Sequence, residues 1–213
     1  MPQPLVVGLG GSLAEHSNSL AALRIAVQGA AEEGATTELL DIREMSLPMY
    51  IPRCPDPPKA VLEFVDKVHA ANGMIWSSPL YHGTISGSFK NALDWFQLLA
   101  DREPAYLTDK VIGLVSAAGG THGLQAVNTM EFVVRALRGW AVPLVVPISE
   151  AWQLFDHEGN TKDERVISQL QVLGCEVCRA SRKFMEVRPM MDESAAKVQA
   201  QVEPISDDEA YVS

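Results

Sequence analysis

Ten residues near the N-terminus, Gly10-Gly11-Ser12-Leu13-Ala14-Glu15-His16-Ser17-Asn18-Ser19, combine glycines and short hydroxyls in an order that suits capture of an anion. They follow Leu5-Val6-Val7-Gly8-Leu9, a buried-strand pattern, and precede a stretch whose Leu20, Leu23, Val27 and Ala30 share one helical face. The first amides of a helix lack internal acceptors, and the helix dipole places partial positive charge there. Ser12, Ser17, Asn18 and Ser19 add side-chain donors. The Gly-Lys-Ser/Thr ending of a nucleoside-triphosphate loop is absent, and the G-x-G-x-x-G pattern begins at Gly8 and Gly10 but fails at Leu13. A long, hydroxyl-rich loop suits a terminal phosphomonoester better than a pyrophosphate. An ordinary strand-to-helix turn capped by Ser17 or Asn18 leaves the same pattern.

Two further loops carry groups of a different kind. One is Ser78-Pro79-Leu80-Tyr81-His82-Gly83-Thr84-Ile85-Ser86-Gly87, and the other is Ala117-Ala118-Gly119-Gly120-Thr121-His122-Gly123. Both expose backbone through glycines and both offer an imidazole; the first adds the ring of Tyr81. That mixture suits a flat heterocycle rich in amide groups, with the glycines donating N–H groups to its edge and Tyr81 against its plane or rim. A loop histidine is more often a hydrogen-bonding surface residue than an acid–base group. No Ser-His-Asp set or carboxylate pair stands beside these loops, so no catalytic side chain is assigned.

The elements that must position these loops alternate. Apolar strand-like runs fall at 5–9, 37–42, 73–78, 111–117 and 141–148, and helical patterns at about 19–33, 58–71, 88–100, 123–138 and 161–186. Strands of nearly continuous apolar character, each followed by a helix, predict one parallel sheet covered on both faces. With the first strand central, the loops after strands one, three and four converge where strand order reverses. Phe89, Leu93 and Phe96 have the spacing of core or subunit-interface residues, whereas Asp94 and Trp95 fall on another helical face, which predicts an exposed tryptophan beside the site. The long loop at 43–57 serves either as a rim to a site or as packing filler.

At these loops the chain resembles the NAD(P)H-dependent FMN reductase family over roughly its first 185 residues. The resemblance rests on the Gly10–Ser19 loop, on Pro79-Leu80-Tyr81-His82-Gly83-Thr84-Ile85-Ser86-Gly87-Ser88-Phe89-Lys90-Asn91-Ala92-Leu93-Asp94-Trp95, and on Gly119-Gly120-Thr121-His122. It implies a flavodoxin-like doubly wound fold with a five-stranded parallel sheet in the order 2-1-3-4-5. It implies FMN as cofactor, NADPH or NADH as hydride donor, a small-molecule electron acceptor and a homodimer or homotetramer. The phosphate would fall to Ser12, Ser17, Asn18 and Ser19. The ring system would meet Pro79, Leu80, Tyr81, His82 and Gly83 on one side and Ser116, Gly119, Gly120 and Thr121 at its polar edge. Many members carry an arginine where this chain has Ala14, which leaves phosphate binding to amides and hydroxyls or to a cation from a partner subunit. The other reading of the fold is an electron carrier that never meets a pyridine nucleotide.

Composition sets the outer bounds. The net charge of −10 argues against a nucleic-acid surface, which needs clustered Lys and Arg. No apolar run reaches the length of a membrane span and no secretory signal is visible, so the expected location is the cytoplasm. Cys175 and Cys178 sit inside a predicted helix, with no second ligand pair for a metal; they read as small apolar groups on one face. Residues 1–187 read as a single domain. From 188 to 213 the aliphatic pattern fades and acidic residues accumulate, which predicts a mobile, solvated tail.

Overall fold

The computed structural model describes residues 2–201, with side chains through Arg188. Five parallel strands, β1 (Leu5–Gly10), β2 (Thr36–Asp41), β3 (Gly73–Tyr81), β5 (Val111–Ala117) and β6 (Trp140–Ile148), lie in the order β2-β1-β3-β5-β6. The short β4 (Thr84–Ile85) folds back antiparallel on the end of β3. Counting only the parallel strands, this is the expected 2-1-3-4-5 order. The helices are α1 (Asn18–Glu32), α2 (Ile42–Met45), α3 (Lys59–Ala70), α4 (Gly87–Asp94), α5 (Leu124–Ala136), α6 (Ala151–Leu154) and α7 (Glu164–Gln201).

The inner strands β1, β3 and β5 are almost wholly buried, as their largely apolar sequences require, while the edge strands β2 and β6 are partly exposed, and each face of the sheet has its own core. Trp76, Phe64, Phe89 and Phe96 pack on the α3–α4–α5 side, while Leu23, Ile75, Leu173 and Val177 pack on the α1–α7 side. The predicted core residues Phe89, Leu93 and Phe96 are buried. Trp95 is also buried, contrary to the exposed position expected from helical spacing. The helix tightens into a 3-10 turn over Trp95–Leu99, which rotates this ring inward. There its indole N–H donates to Pro48 O (3.0 Å) and its ring packs perpendicular to that of Tyr50 (centroids 5.1 Å apart). The Pro48–Tyr50 segment is further clamped by Asn91, which donates to Pro48 O (2.9 Å) and accepts from the Tyr50 amide (2.7 Å). That part of the long loop is packing.

Helix α7 continues to Gln201, beyond the boundary near Glu186 that the apolar pattern indicated. Residues 190–201 are rich in Met, Ala, Glu, Lys and Gln, which are good helix formers whether or not they face a core. The side chains beyond Arg188 and the whole of 202–213, the second part of the expected acidic tail, lie outside the described residues.

Helices α1 and α7 approach closely because glycines meet at their crossing. A Cβ on Gly174 would fall 2.0 Å from Ala26 O, and one on Gly29 would fall 2.4 Å from Gln171 O. Cys178 is buried and Cys175 half-buried in the same contact, as small groups must be. Arg179 closes it with a double hydrogen bond to Glu33 (2.9 and 2.9 Å), which holds the Glu33 carboxyl below its ordinary range. On an open helix Gly174→Ala would gain about 1 kcal/mol of propensity. Here the clash is with backbone that cannot swing away, so the variant is expected to lose at least about 2 kcal/mol, read from its urea midpoint at constant m.

The most perturbed base lies at the opposite end of the sheet from the three loops. Lys110 is buried, donates to His69 O (2.7 Å) and Ala71 O (2.6 Å), and is lowered to about 8 by loss of hydration and then by the Arg188 charge. A lysine whose folded value lies below its free value opposes folding fully where it is protonated. That cost fades as pH rises toward the free value. Unfolding free energy is therefore expected to rise between about pH 8 and pH 10.5 by on the order of 3 kcal/mol, and Lys110→Met is expected to flatten the rise.

Candidate functional site: a crevice at the carboxyl ends of the strands

Strand register brings the three loops together. Gly10 of β1 pairs Ser77 of β3, and Pro79 of β3 pairs Ala117 of β5, so all three loops leave the sheet at the same edge. Between them lies a crevice of about 170 Å³, lined by Ser12, Ser17, Asn18 and Ser19 at one end and by Pro79, Leu80, Tyr81 and Gly119 at the other. Ala14, His16, Ala117, Ala118, Ala151 and Trp152 complete the lining.

The first end is built around the start of α1. Ser17 is its N-cap, with Oγ accepting from the Leu20 amide (3.1 Å) and lying 3.0 Å from Ser19 Oγ. With Ser19 as donor in that pair, the Ser17 hydroxyl proton is free for a ligand. Ser12 is buried, and its Oγ accepts from the Ala14 amide (3.1 Å), which likewise leaves its proton available. The amides of Asn18 and Ser19, in the first turn of α1, have no intrahelical acceptor.

Serines that sequence reading left unassigned hold this loop in place. Gly11 donates to Ser77 O (2.8 Å), and Gly11 O accepts from the Ser86 and Ser88 hydroxyls, the latter at 3.2 Å. The Ser77 hydroxyl donates to Ser19 O (2.7 Å). A Cβ on Gly11 would sit 2.7 Å from the Phe89 ring, so the turn runs directly over the core.

The second end is open. Tyr81 and Trp152 are exposed rings on the crevice wall, and an added Cβ on Gly119 or Gly120 would meet nothing within 4 Å. The Ala118–Gly120 turn is pinned from below. The Ala151 amide donates to Ala118 O (2.9 Å), the Glu150 amide to Gly120 O (3.1 Å), and the Trp152 indole to Gly119 O (3.3 Å). Ser116 lies beneath, fully buried, with its hydroxyl donating to Gly123 O (2.7 Å). Gly120 and Thr121 are on the exposed turn. His82 (φ 49°) and Gly83 (φ 86°) form the two-residue turn of the β3–β4 hairpin next to Tyr81, where both positions need positive φ. Of the six lining residues that sequence reading did not assign, four are alanines and the other two are His16 and Trp152. His16 stood within the loop itself, whereas Trp152 follows β6, the strand whose loop carried no glycine signal.

This is a flavodoxin-like α/β architecture with an anion end and an open aromatic end in one crevice at the strand-order switch. The sequence model of the NADPH-dependent FMN reductase family matches residues 4–153, and the chain belongs to that family. It is 30% identical over 166 residues to the NADPH-dependent FMN reductase ArsH of Shigella flexneri, covering 76% of this chain but only 62% of that protein. It is 29% identical over 175 residues to the NAD(P)H-dependent FMN reductase PA1204 of Pseudomonas aeruginosa, covering 79% of this chain and 92% of that one. The flavoenzyme FerB of Paracoccus denitrificans shares the fold, with a TM-score of 0.69 at 18% identity over 85% of this chain and 98% of its own.

Because Ser17 caps α1 in the folded protein, Ser17→Ala is expected to lower stability by about 1 kcal/mol in the absence of any ligand. Thermal unfolding in phosphate-free buffer reads this, with Asn18→Ala as the comparison that leaves the cap intact.

Proposed function

We propose that the chain holds FMN in this crevice and acts as an oxidoreductase, drawing reducing equivalents from NADPH or NADH and delivering them to a small-molecule acceptor such as free flavin, a quinone, an azo compound or a metal oxyanion. The observation that carries this reading is the pairing of two unlike ends in one crevice. Amides and hydroxyl protons at the start of α1 fit a phosphomonoester, and the open Gly119 turn with the exposed rings of Tyr81 and Trp152 fits a flat heterocycle. Ser12, Ser17, Asn18 and Ser19 would hold the phosphate. Pro79, Leu80 and Tyr81 would bound the ring system, with His82 and Gly83 in the turn behind them. Gly119, Gly120 and Thr121 would face its polar edge, with Ser116 setting the shape of that turn.

A bound flavin supplies the two-electron chemistry that amino-acid side chains lack. The residues of the chain bind and orient. The Gly119 and Gly120 amides would supply fixed dipoles that stabilise negative charge at the ring edge without rearrangement. The exposure of Tyr81 and Trp152 leaves room for a second planar molecule. No lining side chain needs to act as acid or base. The same reading makes the protein a cytoplasmic homo-oligomer. It draws support from the exposed Leu13, Met49 and Ile51, of which Leu13 lies in the phosphate loop and Met49 in the loop packed on α4.

The test is anaerobic mixing of the FMN-loaded protein with NADPH or NADH, followed by the loss of the yellow flavin band. Bleaching is expected with at least one nucleotide. His82→Ala and His122→Ala are expected to slow it by about tenfold or less, against the 10²–10⁴ typical of an acid–base residue. No bleaching with either nucleotide would leave an electron carrier of flavodoxin type. Bleaching abolished by one histidine change, with FMN still bound, would assign that imidazole a chemical role.

A further inference from the structure

Among the described residues that line the crevice there is no lysine or arginine, and the side chain there that can carry positive charge is His16. A phosphate dianion drawn out of water onto neutral donors alone keeps much of its desolvation cost. His16 lies in the same loop, between Ser12 and Ser17, and it is not isolated. The ring of His157 meets it edge-on, with centroids 5.6 Å apart and planes inclined at 73°.

His157 is carried there by a stiff turn between α6 and α7. The Asp156 carboxylate accepts from the amides of Asn160 (2.8 Å) and Glu158 (2.9 Å) and from the Asn160 side chain (3.3 Å). Gly159, at φ 83°, rests against Ala21 of α1, where an added Cβ would lie 3.1 Å from Ala21 Cβ. The turn is thus docked on the helix whose N-terminus forms the anion end.

We propose that His16, steadied by His157, supplies the counter-charge for the phosphate group in this crevice, so that the hold on the cofactor follows the protonation of an imidazole. The proposal rests on the flavin reading above and adds the group that completes it. His16 touches the ligand; His157 is a positioning residue. The charged groups around the pair are Glu15 in the loop, Asp156 and Glu158 in the turn, and Arg43 from α2. The Arg43 guanidinium donates to Glu15 O (3.4 Å) and lies 3.8 Å from the Asp41 carboxylate. The amide of Asn160 above all holds the Asp156 carboxyl below its ordinary range, so it is anionic at neutral pH.

The sign of the pH effect follows. Imidazole is the side chain that gains charge in the neutral range, so lowering the pH adds a cation facing the dianion and tightens binding. Below about pH 6 the phosphate takes up its own second proton and the gain levels off. Riboflavin lacks the phosphate and serves as the internal control.

The experiment measures dissociation constants of FMN and riboflavin by quenching of flavin fluorescence, with wild type, His16→Gln, His157→Gln and Arg43→Gln. Wild type is expected to bind FMN about tenfold more tightly at about pH 6.5 than at about pH 8.5, with riboflavin changing less than about twofold. His16→Gln is expected to remove the FMN dependence, His157→Gln to reduce it to about threefold, and Arg43→Gln to preserve it. Equal pH profiles for FMN and riboflavin, or a wild-type profile in His16→Gln, would overturn the proposal. So would Arg43→Gln weakening FMN at every pH while His16→Gln did nothing, since the charge would then come from α2. If neither flavin binds to any variant, the flavin reading fails by itself, and inorganic phosphate decides the proposal. Imidazole NMR signals of His16 that move toward the protonated position on adding phosphate at constant pH support it, and unmoved signals overturn it.

Discussion

The geometry of the crevice hangs on Gly11. Its amide donates to Ser77 in the middle of β3, its carbonyl collects two serine hydroxyls from the start of α4, and its Cα lies against the Phe89 ring. One residue therefore joins the phosphate-type loop, the central strand pair and the helix that follows the Tyr81 loop. A larger residue there would have to displace an aromatic ring of the core, and the loop would lift off the sheet. With Gly11 fixed, Ser12 and the N-terminus of α1 have one place to be, so the arrangement of hydroxyls and free amides there is set by the fold itself.

On the reading proposed above, the charge at that end would come from oriented dipoles and the His16 imidazole. This matters in a chain of net charge −10, where the average field repels a phosphate. Local amides act at hydrogen-bond distance, where the remote field is screened. The buried cation of the fold, Lys110, sits at the far edge of the sheet and satisfies backbone carbonyls. Its perturbation reflects burial, which shows why a shifted base is a poor guide to the site unless a crevice lies beside it.

The open end is organised by the chain that follows β6. Glu150, Ala151 and Trp152 return three hydrogen bonds to the Ala118–Gly120 turn, so a glycine-rich segment that would otherwise wander is held with its Cα atoms facing empty space. The same stretch continues into the Asp156 turn that brings His157 to His16. One connection between β6 and α7 thus touches both ends of the crevice.

Much of this was determined by the sequence alone. Continuous apolar runs such as Val111–Ala117 read as strands buried on both faces, and the residues between Gly10 and Ser19 as a turn into a helix, so the elements and the position of the loop were legible, while the strand order came with the family resemblance. So were Ser17 or Asn18 as the capping residue and Cys175 and Cys178 as small groups on one helical face, because these are local or periodic signals. What only the tertiary structure decided depends on contacts between segments far apart in the chain. Trp95 turns inward because a 3-10 turn and Pro48 give its indole a partner. Ser77, Ser86 and Ser88 are supports because three strand and helix ends meet at Gly11. Helix α7 outruns its apolar stripe because helix formers propagate a helix without needing a core. Trp152 and the His16–His157 pair join the crevice through packing across some 140 residues of chain, and no local pattern records a contact whose cause is the closure of the fold.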